Sequence, residues 1–354
     1  MNLQFILKYA LASPYYKELN KSKFELILGE IDANELLFVS ERVHLTSILH
    51  KIIQQNNPNH KFIQLARPIL YYQKILNTCV IEELEKLSKY DITRKIKPVL
   101  LKGVAFWSNL YKDNIERRIN DIDLLIENRQ NIIEFCNLLK KNGYRCEEQN
   151  YEQDIFTNKH YELPAFFKEI PITVNNEELL LQAKNISFSD LKINNKKGIY
   201  YLQLEIELHK AIFSYKNTAI YPVLKQSYFK SFSPNNTYRV LKNEITLPYL
   251  AIKIFSDYQH LISENELIKL KALKLVKDFI LIMQVIDQKE LEKAIIVAEI
   301  WDSLNVFRSM ISFTKDFLPE INFDTLHLSQ ENNLVDLIIK NAIKQIINNE
   351  KNNL

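Results

Sequence analysis

Residues 98–126 read PVLLKGVAFWSNLYKDNIERRINDIDLLI, and this stretch decides which fold the sequence predicts. The short apolar run Val99–Leu101 predicts a β-strand, and Gly103 stands just beyond it. An amphipathic helix is expected at Val104–Tyr111, and a second apolar strand at Asp121–Ile126. The stretch therefore predicts a strand, a glycine turn, a helix and a second strand in close succession.

The second strand carries two aspartates, Asp121 and Asp123, with one residue between them. Side chains alternate between the faces of a strand, so both carboxylates should point the same way while Ile122 and Leu124 point into a core. Two neighbouring carboxylates disfavour joint ionisation unless a cation lies between them. The spacing therefore predicts a divalent metal site, and Mg²⁺ in particular prefers oxygen ligands.

Length and charge limit the classes of partner. The chain has 354 residues, more than one domain usually holds, so two packed units are expected. An apolar fraction of 47% is ample for a core. Lys+Arg 46 against Asp+Glu 43 leaves a net charge of only +3, which gives no general attraction to nucleic acid. We therefore expect no long nucleic acid among the partners.

Cysteine usage and hydropathy indicate the compartment. The cysteines are Cys79, Cys136 and Cys146, an odd number without a C-x-x-C pair, which supports neither a disulfide framework nor a zinc ribbon. No stretch approaches the roughly 20 apolar residues that a membrane span requires. We therefore expect a cytoplasmic protein that does not act on a membrane.

Only 4 glycines occur, which excludes glycine-rich phosphate loops of the Walker or dinucleotide type. Gly103 is informative because, at a helix N-terminus, it exposes backbone N–H groups and the positive end of the helix dipole to a triphosphate. Arg117 and Arg118 could add charge-assisted hydrogen bonds to the same phosphates. Single arginines in a loop are more often surface charges than ligands.

The pattern along the chain predicts an α+β protein in three parts. Residues 1–97 form a helical N-terminal cap, residues 98–215 a small mixed-sheet α/β core, and residues 216–354 a C-terminal helical domain. Helices are predicted at 65–89, 129–142, 247–262, 264–287, 289–302 and 334–347, and the chain after Pro234 is expected to be helical to its end. Less distinct strands are predicted at 144–148, 154–157, 170–174 and 185–188.

A long strand is predicted at Ile199–His209, with Gln203, Glu205, Glu207 and His209 on one face. A third carboxylate from this strand would complete a two-metal site, which stabilises the attacking and leaving oxygens of a phosphoryl displacement. Alternation along the strand does not choose between Glu205 and Glu207. His209 is as consistent with local packing as with substrate contact.

Several motifs recur in one order along the chain. They are Leu-Leu-Lys-Gly at 100–103, the loop 111–117, Asp-Ile-Asp-Leu-Leu-Ile at 121–126, Asn-Gly-Tyr at 142–144 and Glu-Leu-His at 207–209. This order resembles the bacterial "uncharacterised nucleotidyltransferase" family of the polymerase-beta-like nucleotidyltransferase superfamily. Weaker matches at His160, His260 and Asp278 extend the resemblance over about residues 60–285.

The resemblance implies a small mixed-sheet nucleotidyltransferase core and a metal-dependent enzyme. Such an enzyme moves a nucleoside monophosphate from an NTP to a hydroxyl acceptor and releases pyrophosphate. The carboxylates implied to be catalytic, and to hold Mg²⁺ or Mn²⁺, are those of Asp121, Asp123 and Glu207. The residues expected to bind the nucleotide are Lys102, Gly103, Arg117, Arg118 and His209.

Two departures from the family pattern keep a second hypothesis open. Glu207 stands where relatives often have Asp, and Lys102 stands where the wider superfamily usually has glycine followed by serine. A lysine there needs an anionic partner. The alternative is a catalytically weak nucleotide-binding or interaction protein with the same fold, acting with a protein partner. A third hypothesis is transfer of the terminal phosphate instead of the nucleotide.

Overall fold

The computed structural model describes residues 2–13, 21–111, 116–146, 163, 165–186, 192–212, 224–232, 236–264, 272–314, 335, 337–341 and 343. It confirms the predicted α+β class, with one mixed sheet of eight strands and many helices. None of the helices in these ranges combines the length and apolar character of a membrane span.

The helices occupy most of the described chain. In order they are α1 (Asn2–Ala12), α2 (Lys21–Glu30), α3 (Ala33–Arg42), α4 (Thr46–Asn56), α5 (Lys61–Ser88), α6 (Asp91–Ile96), α7 (Lys102–Leu110), α8 (Arg129–Lys141), α9 (Glu177–Ile186), α10 (Asn243–Glu264), α11 (Ala272–Met283), α12 (Gln288–Ile300) and α13 (Leu304–Thr314). A short 3₁₀ turn covers Gln226–Tyr228.

The strands are β1 (Val99–Leu101), β2 (Ile122–Leu125), β3 (Arg145–Cys146), β4 (Phe166–Ile172), β5 (Ile193–Lys196), β6 (Ile199–His209), β7 (Phe229–Ser231) and β8 (Arg239–Leu241). Their order in the sheet is β3-β4-β6-β2-β1-β8-β7, and β5 also pairs with β6. Strand β2 is antiparallel to β1 and parallel to β6. The two acidic strands predicted from the sequence are therefore direct neighbours.

The chain divides into two compact units. We call Met1–Ile69 with Asn243–Leu354 the helical unit, and Leu70–Lys242 the sheet unit. Helix α5 passes from one unit to the other just after Pro68, which lies inside the helix. The predicted three-part division at 1–97, 98–215 and 216–354 is a different partition of the chain, and it stays a prediction.

Capping and buried apolar residues hold the helical unit together. Asp32 accepts hydrogen bonds from the first backbone N–H groups of α3, and Asp287 forms a capping box with Glu290 at the start of α12. In the core, the ring of Tyr9 stacks on that of Phe24 at 4.3 Å. These local signals agree with the helical spacing of the sequence, which predicted most of these helices.

Two sequence predictions are wrong in the described residues. The predicted strand at 185–188 begins inside α9, whose run of leucine, glutamate and alanine favours a helix. The N–H of Leu179 donates a hydrogen bond to the side chain of Asn176, which caps the start of this helix. The expectation of helix throughout the chain after Pro234 fails at β8, which forms because β1 supplies a partner edge. The predicted strand at 154–157 and residues 147–148 of the edge strand lie outside the described residues.

A buried asparagine of α5 holds the segment that leads into β2. Asn77 is fully buried, and its Nδ2 donates to the carbonyl of Arg117 at 2.8 Å. The N–H of Ile119 donates to Asn77 Oδ1 at 3.0 Å. One side chain therefore satisfies a backbone acceptor and a backbone donor just before the predicted metal ligands.

We expect Asn77→Ala to lower the free energy of unfolding by about 2–6 kcal/mol, because two buried backbone groups each lose a partner at about 1–3 kcal/mol. Urea unfolding of the full chain measures this loss. The matched control is Lys74→Ala, an exposed position on the same helix, which should stay within about 0.5 kcal/mol of wild type. Equal stability of the two variants would contradict the structural role of Asn77.

Candidate active site

The pairing of β2 with β6 brings two carboxylates together. Asp123 lies directly opposite Glu207 in the parallel register, and His209 lies two residues further along β6. One ligand atom from each of these three residues lies within 4.8 Å of the others. Asp123 is 1% exposed, whereas a third of the Glu207 side chain is exposed. The cluster therefore runs from a buried carboxylate to one that solvent reaches.

Lys102 supplies a positive charge to this cluster. Its Nζ lies 2.5 Å from Asp123 Oδ1 and 3.8 Å from Glu207 Oε2. Lys102 is the first residue of α7, and its φ of 48° places it in the left-handed region. That conformation costs a residue other than glycine about 1–2 kcal/mol. The expectation that Lys102 needs an anionic partner agrees with this contact.

His209 approaches the same oxygen. Its Nε2 lies 2.9 Å from Asp123 Oδ1 and 3.7 Å from Glu207 Oε2, and the residue is 8% exposed. An ionised carboxylate oxygen only accepts hydrogen bonds, so Nε2 carries a hydrogen and donates it to Asp123. In this arrangement His209 orients the carboxylate of Asp123.

The two carboxylates have opposite pKa shifts. Burial alone would raise the pKa of Asp123, but the charge of Lys102 and the hydrogen bond from His209 outweigh it and hold this pKa well below its ordinary value. Burial, followed by the charge of Asp123, raises the pKa of Glu207 to about 8, and Asp121 adds to the rise. Asp123 is therefore the constant negative charge of the cluster, and Glu207 is the group whose charge is costly.

One oxygen of the cluster fits a metal ion. Asp123 Oδ2 is buried and has no hydrogen-bond partner among the described residues. A buried ionised oxygen without a partner is unfavourable, and a cation satisfies it. Carboxylate oxygens of Asp123 and Glu207 are ligands that Mg²⁺ and Mn²⁺ prefer. The residues present therefore fit a divalent cation.

The structure separates the two glutamates that the sequence left open. Glu205 Oε2 lies 2.5 Å from Lys192 Nζ, in an ion pair that no local sequence pattern predicts. Glu207, two residues on, lies beside Asp123. Asp121 is half-buried just before β2 and lies outside the three-residue cluster. The assignment of Asp121 and Glu207 as metal ligands stays a prediction, and the geometry favours Glu207 over Glu205.

The arginines predicted to bind phosphate are buried at the turn before β2. Arg117 is 3% exposed, and its Nη1 donates to the carbonyl of Arg118 at 3.0 Å. A Cβ atom on Gly103 would lie 3.3 Å from that Nη1, so the glycine leaves room for the guanidinium. Arg118 is 6% exposed, donates to Asn120 at 2.9 Å and lies over the ring of Tyr72. Their contact with a nucleotide stays a prediction.

Of the three weaker matches, the structure describes the side chain of Asp278. His160 lies outside the described residues, and the side chain of His260 is likewise not described. Asp278 is fully buried in α11, within the helical unit. The described site residues are Lys102, Gly103, Arg117, Arg118, Asp121, Asp123, Glu207 and His209, and all belong to the sheet unit.

The mixed sheet brings carboxylates of adjacent strands together beside a turn from strand to helix, and their oxygens are ligands that could hold a divalent cation. The chain belongs to the family described as uncharacterised nucleotidyltransferase, whose model matches residues 29–314. The resemblance recognised from the motifs is thereby confirmed, and it covers most of the chain. No curated protein and no solved structure shows significant similarity to it.

We expect Glu207→Gln to change how stability depends on pH. In the folded chain the pKa of Glu207 rises from 4.5 to about 8. Between these values the folded chain keeps a proton that the unfolded chain releases, so the free energy of unfolding falls as the pH rises. The glutamine variant lacks this loss and should gain stability relative to wild type across the window, with the gain complete above about pH 8.

Urea unfolding at several pH values, with a metal chelator present, measures this difference. A difference between variant and wild type that stays constant or shrinks as the pH rises would contradict the raised pKa of Glu207.

Proposed function

We propose that the protein is a metal-dependent nucleotidyltransferase that moves a nucleoside monophosphate from an NTP to a hydroxyl acceptor and releases pyrophosphate. The observation that carries this proposal is the pairing of Asp123 with Glu207 across β2 and β6, with a buried Asp123 oxygen that lacks a hydrogen-bond partner among the described residues. Membership of the nucleotidyltransferase family supports the reaction class.

In this proposal Asp123 and Glu207 hold Mg²⁺ or Mn²⁺, and Asp121 adds negative charge beside them. A bound divalent cation supplies stabilisation of the negative charge that develops on the phosphate oxygens. His209 and Lys102 keep Asp123 ionised and fixed in direction through their contacts with Oδ1. These two residues thereby prepare the acidic cluster before any ligand arrives.

The nucleotide phosphates are assigned to the start of α7. This helix begins at Lys102 and Gly103, directly after β1, and the first backbone N–H groups of a helix have no partner within it. Arg117 lies against Gly103 and contributes positive charge at the turn. Arg118 is the further guanidinium of the same segment, and we keep it among the nucleotide-binding residues of the proposal.

The acceptor is proposed to be a hydroxyl of a small molecule or a protein. The net charge of +3 over 354 residues offers little attraction to long nucleic acid. The cytoplasm, where NTPs and Mg²⁺ are abundant, is the compartment that suits this reaction.

Incubation with labelled NTPs, Mg²⁺ and pools of small-molecule and protein acceptors tests the proposal. Wild type should label an acceptor and release pyrophosphate, and Asp121→Ala/Asp123→Ala should not. Glu207→Gln should lower the rate on the order of 100-fold or more, because it removes charge stabilisation in the transition state. Glu205→Gln is the matched control two residues away, and it should keep most of the activity.

Equal activity of the double aspartate variant and wild type would overturn the proposal. Equal losses in Glu205→Gln and Glu207→Gln would remove the assignment of Glu207, while leaving nucleotidyl transfer in place.

The Lys102–Asp123 contact favours a second candidate, a nucleotide-binding protein with little transfer activity. The ammonium group of Lys102 lies where a cation would bind, 2.5 Å from Asp123 Oδ1. Calorimetric titration with NTP separates the candidates, because binding that is indifferent to Mg²⁺, without release of pyrophosphate, supports the second. Formation of NDP instead of pyrophosphate would indicate transfer of the terminal phosphate.

A further inference from the structure

The two oxygens of Asp123 have different surroundings. Oδ1 receives two donors, Lys102 Nζ at 2.5 Å and His209 Nε2 at 2.9 Å. Oδ2 is buried and receives none from the described residues. A carboxylate that bridges two metal ions in the bidentate mode gives one oxygen to each ion. In Asp123, one oxygen is already occupied by hydrogen-bond donors and only the other is left for a metal.

The charges of Asp123 and Glu207, counted with that of Asp121 just before β2, also point to a single divalent cation. Asp121, Asp123 and Glu207 carry three negative charges when all are ionised, and the ammonium group of Lys102 neutralises one of them. Two negative charges remain, which one divalent cation balances. Two divalent cations together with Lys102 would leave an excess of positive charge among these four side chains, which is unfavourable at a largely buried site.

The backbone of Lys102 supports a role for its side chain. Its φ of 48° would cost glycine nothing, but it costs lysine about 1–2 kcal/mol. The ammonium group also lies within 4 Å of both Asp123 and Glu207, at 2.5 and 3.8 Å. A strained lysine that reaches both carboxylates indicates that its charge contributes to the site.

We infer that the ammonium group of Lys102 permanently fills one of the two cation positions beside Asp123, so that the site binds a single divalent cation through Asp123 Oδ2 and Glu207. This inference rests on the proposed metal-dependent function and specifies how the site performs it. Lys102 then replaces an ion that other two-metal sites recruit from solution, and His209 remains a donor to Asp123, outside the metal's ligands.

Direct counting of bound Mn²⁺ tests the inference without any substrate. The full-length protein is titrated with Mn²⁺ alone, free Mn²⁺ is measured by electron paramagnetic resonance, and the spectrum of the bound ions shows whether two lie close enough to couple. Wild type should bind one uncoupled Mn²⁺. Lys102→Met keeps the length of the side chain and removes its charge, so it should bind two ions with coupled spins.

The matched control is Lys192→Met, which removes the ammonium group of the neighbouring ion pair with Glu205, also 2.5 Å long. This variant should still bind one Mn²⁺. Circular dichroism and thermal unfolding establish that each variant is folded. If Lys102→Met does not fold, the wild-type count and spectrum still decide the question.

The outcomes separate this inference from the proposed function. Two ions bound by wild type would overturn the inference alone, as would a single ion in both wild type and Lys102→Met. If wild type binds no Mn²⁺ at the cluster, the proposed metal-dependent function fails, and the inference fails with it.

Discussion

The buried negative charge of Asp123 is the constraint on which the site depends. An ionised carboxylate that is 1% exposed would be strongly destabilising on its own. Two donors from different parts of the chain, Lys102 and His209, make it tolerable by binding the same oxygen. The positions of α7 and of the end of β6 are therefore tied to the charge of a single side chain on β2.

This electrostatic constraint acts together with the register of the sheet. Asp123 pairs with Leu101 on one side and with Glu207 on the other, so a one-residue shift of β2 would turn the carboxylate away from both donors. Two hydrogen bonds join the side chain of Asn77 to the backbone of Arg117 and Ile119, and they hold the segment that enters β2. Buried polar contacts outside the cluster thereby help to set the direction of Asp123.

The sequence predicted the local elements of the site better than its contacts. Strands β1, β2 and β6 lie where the sequence predicts them. The first two are predicted from short apolar runs, and β6 is predicted from alternation over a long segment. The parallel pairing of β2 with β6 is not encoded locally, since Asp123 and His209 are 86 residues apart. Only the resemblance of the motifs indicated that Glu207 belongs with Asp123.

Contacts between distant side chains were beyond the reach of sequence patterns. Glu205 and Glu207 have the same alternation, and their neighbours distinguish them, because Lys192 pairs with the first and Asp123 lies opposite the second. Arg117 was predicted to bind phosphate or to be a surface charge, yet it is 3% exposed, and a Cβ atom on Gly103 would crowd its guanidinium. Strand β8 has three residues, too few to show a periodicity, and it depends on β1 for its pairing.

Two neighbouring carboxylates that are both ionised need a cation between them, and either a metal ion or a basic side chain can supply it. The motifs predicted a metal held by Asp121, Asp123 and Glu207, and an anionic partner for Lys102. In the structure, Asp123 lies beside Glu207 of another strand, and Lys102 contributes the first positive charge. A lysine reaches the carboxylates on every molecule and at every metal concentration, whereas a second bound ion would depend on supply. Lys102 departs from the family pattern, and this lysine gives the site a positive charge of its own. Asp123 Oδ2 is then the carboxylate oxygen that still lacks a hydrogen-bond partner among the described residues.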